Sequence, residues 1–107
     1  MELTKTDLEQ YQKQAGIVWT AATAKIAQAR MGIARWINID NTNCKPNRLH
    51  PIGSLMENAW LEYEKLDTDC RKLAQAKPNE APTLYSRIIT AYEAIESELR
   101  TINHFLK

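Results

Sequence analysis

Apolar and small side chains recur every three or four positions along the first third of the chain. They fall at Leu8, Tyr11, Ala15, Val18, Ala22, Ile26, Ala29, Ile33 and Ile37, one face of an α-helix. Thr6 and Glu9 have capping-box spacing and set a start near Asp7. The pattern predicts a helix over about residues 7–37. A second stripe, Leu55, Ala59, Tyr63, Leu66, Cys70 and Leu73, follows Ser54 and Glu57, another pair with capping spacing. Pro78 disfavours helical backbone in the residue before it, which predicts a helix over about 54–77. The third stripe, Leu84, Ile88, Ala91, Ile95, Leu99, Ile102 and Leu106, begins after Pro82 and predicts a helix over about 82–106. No alternating strand pattern of useful length occurs. The four-residue connection Pro78–Ala81 makes the second and third helices antiparallel neighbours. The long polar connection 38–53 is of a length often found in functional loops. The expected fold is all-α: an antiparallel three-helix bundle, one domain over 1–107.

The first helix has a second apolar side. Ile17, Thr20, Ala24, Ala27, Met31 and Ala34 also step by three or four, opposite the first stripe. A lone surface helix carries charge there. Alanine's high helix propensity explains the alanines but not Ile17 or Met31. Gly16 and Gly32 would let another backbone approach. The expectation is an intermolecular contact, with a second copy of the chain or with another protein, carried by Ile17, Ala24, Met31 and, at the helix end, Trp36.

Composition adds little to this until it is read by position. The 107 residues include 14 Lys+Arg and 13 Asp+Glu, for a net charge of +1, with 44% hydrophobic residues, 3 Gly and 4 Pro. That excludes wholesale disorder and collagen-like architectures. Charge is partitioned, however. Residues 13–53 hold six basic residues and one acid, Asp40, a net +5; the remainder holds eight basic and twelve acidic residues, a net −4. Lys25, Arg30, Arg35, Lys45 and Arg48 are the candidates for contact with an acidic partner, nucleic acid included. A basic face complementing the chain's own acidic helices is the competing account, and pI near 7.8 lies below that of an overtly nucleic-acid-binding domain. The pairs Asp67–Arg71 and Glu96–Arg100 have favourable i,i+4 spacing. Glu57, Glu62, Glu64 and Asp69 read as a solvated face.

Enzymatic and metal chemistry find no support in the motifs. The positions three before His50 and His104 are Asn47 and Thr101, so the Glu-x-x-His of di-iron bundles is missing. Cys44, Cys70, His50 and His104 lack zinc-site spacing, the Asp40 segment lacks a calcium-loop pattern, and no phosphate-binding glycine motif occurs. Cys70 lies on a core stripe, where cysteine behaves as a small hydrophobe; Cys44 reads as a loop thiol. His104 suits the negative end of the third helix. The N-terminus has no signal-peptide pattern, and two cysteines make no disulfide framework, so a cytoplasmic protein without metal or cofactor is expected. The helical chorismate mutases place several converging Arg and Lys on a dicarboxylate, but here Lys13 is the only base between Lys5 and Lys25.

In size and all-helical character the chain resembles small helical subunits of CRISPR effector complexes, and equally phage-encoded inhibitors of such machinery. The two-faced first helix and the basic segment predict a non-enzymatic subunit or adaptor that docks into a larger assembly through that helix, with its basic face toward an acidic partner, nucleic acid included. The alternatives are a stand-alone protein-binding inhibitor or regulator and a small dimeric enzyme acting on an anionic substrate.

Overall fold

The computed structural model describes residues 2–39 and 51–105, with side chains described for residues 2–33 and 52–105. Three helices pack against one another: α1, Lys5–Ile39; α2, Pro51–Ala74; and α3, Ala81–Phe105. The bundle is a rod of 61 × 19 × 19 Å with a radius of gyration of 17.0 Å. That exceeds the roughly 13 Å of a compact 100-residue domain. The elongation follows from helix length, since the 35 residues of α1 span about 52 Å at 1.5 Å per residue.

Helix boundaries depart from the sequence expectation, each for a local reason. The cap of α1 is Thr4 with Asp7, not Thr6 with Glu9. The Asp7 amide donates to Thr4 Oγ1 at 3.2 Å, and the Thr4 amide donates to Asp7 Oδ2 at 2.9 Å. This is the same reciprocal device two residues earlier, and it satisfies two amides that the first turn orphans. The second helix begins at Pro51, so Ser54 and Glu57 lie inside it rather than capping it. Proline is at home in a first turn because its missing N–H would have no partner there. The helix also stops at Ala74, three residues before the expected end. The amides just beyond it, Gln75 and Ala76, bond back three residues, to Lys72 and Leu73, which tightens the final turn. Pro78 holds Lys77 extended (φ −83°, ψ 154°), and a short 3-10 turn, Pro78–Glu80, leads into α3. There the Lys77 amide donates to Glu80 Oε1 at 2.9 Å.

The core is drawn from the stripes read from the sequence, with Ile52 and Ala81 added from the expected connections, while Leu8, Tyr11, Val18, Ile33, Leu55, Tyr63, Cys70 and Leu84 are only partly buried against it. Ala15, Ala22, Ile26 and Ala29 of α1 meet Ile52, Ala59, Leu66 and Leu73 of α2, and Ala81, Ile88, Ala91, Ile95, Leu99 and Ile102 of α3. Leu66, Leu73, Ile88, Ile95 and Ile102 are the largest fully buried side chains. Ile37 and Leu106 lie outside the described side chains.

Cross-helix contacts fix the direction of each helix. Gln12 donates to the Leu73 carbonyl (3.0 Å), Trp19 to Asp67 (2.9 Å), and the Thr23 hydroxyl meets the Tyr63 hydroxyl at 2.8 Å. Partner numbers on α2 fall as those on α1 rise, so the two run antiparallel. Tyr11 packs on Tyr85 (ring centroids 5.4 Å) and Lys25 pairs with Glu96 (3.8 Å), so α3 runs parallel to α1. Glu96 is thus directed across the bundle to Lys25 rather than along α3 to Arg100.

Candidate functional site

The two sides of α1 differ sharply in cover. On the inner side Ala15, Ala22, Ile26 and Ala29 are at most 4% exposed. On the outer side Ile17 is 56% and Met31 57% exposed, and Thr20, Ala24 and Ala27 between them are exposed too. The Thr20 hydroxyl donates to the Gly16 carbonyl at 2.9 Å. Its hydrogen is therefore committed, and it presents mainly its methyl group. A Cβ added at Gly16 would meet nothing within 4 Å. The outer side therefore exposes small residues between two bulky apolar ones. Three of the four protein-interface candidates fit this description: Ile17 and Met31 supply the bulk, and Ala24 the floor. The side chain of Trp36 lies outside the described residues.

Beside this face, toward α2, lies an open hollow of about 400 Å³ lined by Gln12, Ala15, Gly16, Trp19, Cys70 and Ala74, with Asp67 and Arg71 at its rim. The Asp67 carboxylate holds the rim together: Oδ1 accepts from the Trp19 indole at 2.9 Å, and Oδ2 meets the Arg71 Nε at 3.1 Å. The expected Asp67–Arg71 pair is therefore formed. Trp19, 37% exposed, sits at the edge of the core. Cys70 is half-buried against the core. Burial pushes its thiol up to about 11, with the charges of Asp67 and Asp69 adding to the effect. A thiol so placed is protonated at neutral pH, which agrees with cysteine acting as a small hydrophobe and not as a nucleophile.

The two candidate basic residues whose side chains are described, Lys25 and Arg30, do not converge. Lys25 turns toward α3 and its Glu96. Arg30 turns toward α2, its guanidinium 4.5 Å from the centre of the Trp60 ring, a cation–π arrangement. Arg35, on the α1 backbone, and Lys45 and Arg48, in the 38–53 connection, lie outside the described side chains, as do Cys44, Asp40 and His50. A segment with net +5 is thus in part spent on the chain's own second and third helices.

Asp69 corrects the sequence reading. Expected on a solvated face, it is 4% exposed, and its Oδ1 lies 3.2 Å from Arg87 Nη2. The signal was available: Asp69 stands between Leu66 and Leu73 at core spacing, and α3 offers a cation beside Ile88. Desolvating a carboxylate is costly unless it is paired, and the partly exposed Arg87 provides the pair. This ion pair borders a hollow of about 870 Å³ between α2 and α3, which is lined by charges of both signs, among them Lys65, Lys72 and Glu98. Alternating charge of this kind suits solvent better than a single ligand class.

Among the described residues no group of three or more His, Cys, Asp or Glu is placed to hold a metal, and no helix is long and apolar enough to cross a membrane. His104 is exposed in the last turn of α3, its ring 6.3 Å from that of Phe105. Neither any protein-family model, nor any curated protein, nor any solved structure matches the chain.

Proposed function

We propose that the chain is a non-enzymatic helical subunit or adaptor that docks into a larger protein assembly through the outer face of α1. One observation carries this reading. Ile17 and Met31 stand more than half exposed on one side of α1, with Thr20, Ala24 and Ala27 exposed between them. Burying such a pair releases water from apolar surface, and among the described residues no further element covers it. Catalysis on an anionic substrate would call for converging cations, whereas Lys25 and Arg30 address different helices.

The test is the native mass of the tagged chain isolated from its source cells. The wild type is expected in a stoichiometric complex well above 12.3 kDa, and Ile17→Asp and Met31→Asp, both at exposed positions, are expected to release it folded and alone. A wild type that runs alone removes the docking reading. The acidic-partner extension through Lys25, Arg30, Arg35, Lys45 and Arg48 has its own check. Reversing charge at Arg35 and Arg48 should weaken retention of a short nucleic acid in a salt-dependent way. Unchanged retention at low salt removes nucleic acid as that partner.

A further inference from the structure

We infer that α1 is a detachable helix: it opens from the bundle as one unit while α2 and α3 stay packed as a hairpin. The inference is independent of the docking reading above.

Large aliphatic side chains hold α2 to α3. The largest fully buried side chains among the described residues, Leu66, Leu73, Ile88, Ile95 and Ile102, all belong to those two helices. The 3-10 turn Pro78–Glu80 joins them, so their pairing closes only a short loop. The ion pair between Asp69 and Arg87 bridges them as well.

α1 is held differently. Its buried residues are three alanines, Ala15, Ala22 and Ala29, and one isoleucine, Ile26. An alanine removes far less apolar area from water than a leucine or an isoleucine. Leu8, Tyr11, Val18 and Ile33 add surface that is only partly buried. The rest of the hold is polar and in reach of water. Gln12 donates to the Leu73 carbonyl, Trp19 donates to Asp67, the Thr23 and Tyr63 hydroxyls meet, and Lys25 pairs with Glu96. Water replaces each of these partners when α1 leaves, so each bond contributes little net stability. The half-exposed Lys25–Glu96 pair contributes least.

The backbone hydrogen bonds of α1 close within the helix, so no sheet or ladder ties it to its neighbours. Once away from them it loses the packing on which helices in proteins depend, and its amides exchange with solvent. Opening also bares the alanine stripe of α1 and the apolar side chains beneath it. The closed rod conceals that surface, and the contacts of Gln12 and Trp19 with α2 act as the latch.

The experiment is native-state hydrogen exchange of the full chain, read amide by amide in rising, sub-denaturing urea. The slowest amides of α1 are expected to converge on one protection factor, about tenfold or more below that of the slowest amides in α2 and α3. A single protection factor shared by all three helices overturns the inference. Asp69→Ala separates the two schemes further. It should lower protection in α2 and α3 by about tenfold and leave α1 unchanged, because the pair with Arg87 is intact while α1 alone is open. A parallel fall in α1 shows that α1 opens only with the whole fold, and overturns the inference too. Asp67→Ala, which removes the acceptor of the Trp19 indole, should lower protection in α1. No change there overturns the role of that contact as a latch.

Discussion

The inner and outer faces of α1 are built from nearly the same residues. Each repeats alanine at helical spacing, and each carries isoleucine: Ile26 inside, Ile17 outside. Yet Ile26 is 4% exposed and Ile17 is 56% exposed. The residue types do not account for that difference. α2 and α3 approach from one side only, so one face becomes core while its near-duplicate remains surface. An alanine-rich helix can thus be read as two-faced from its sequence, but the assignment of inside and outside belongs to its neighbours.

The most direct way to break the comparison is to make one substitution on both faces. Ile26→Ala should destabilise the fold by about 2–4 kcal/mol, through lost burial and a residual cavity. Ile17→Ala should stay within about 0.5 kcal/mol of wild type, since alanine is the better helix former. Urea denaturation measures both. Similar losses at the two positions would mean that the outer face is already covered in the isolated chain.

A smaller effect is expected where burial and polarity conflict. Asp69→Ala should cost about 1–2 kcal/mol, because Arg87 loses its carboxylate but retains access to water. Asp69→Ala paired with Arg87→Ala should cost less than the sum of the single losses, and this double-mutant cycle checks whether the pair acts as a unit.

The smallest effect belongs to the free end of α1. The hydrogen bonds from the Thr4 amide and hydroxyl hold the Asp7 carboxyl below the usual aspartate range. A lowered native pKa means that the contribution is fully present above the unfolded value, about 3.9, and lost as pH falls through the native one. Between neutrality and pH 5 the cap should be insensitive to pH. Below about pH 4, the protection of first-turn amides against hydrogen exchange, taken relative to the unstructured rate at the same pH, should fall in the wild type. Asp7→Asn should show no such step.

Much of the architecture was legible because burial and helical period act on the same residues. The three stripes, the short connection at Pro78 and the antiparallel α2–α3 pair follow from spacing alone. The caps were misplaced because both Thr4 and Thr6 precede acids at the right interval; hydrogen-bond geometry chose Thr4. The start of α2 was missed because Ser54 carries a capping signal that Pro51 pre-empts. Asp69 was misread because a carboxylate is ordinarily solvated, and only the approach of α3 supplies the guanidinium that lets it be buried. The outer-face residues Ile17, Ala24 and Met31 were visible as a second stripe, whereas the hollow at Gly16, Trp19 and Cys70 exists only between two helices.

Local periodicity and proline placement determined that this chain forms three helices and which stripe of each is apolar. Those properties depend on residues a few positions apart. Tertiary structure decided which side of α1 is core, that Lys25 goes to Glu96 and Arg30 to Trp60, and that Asp69 is enclosed. Each of these joins residues dozens of positions apart, where the free energy depends on distance and on water excluded between helices, quantities that the linear order of residues does not contain.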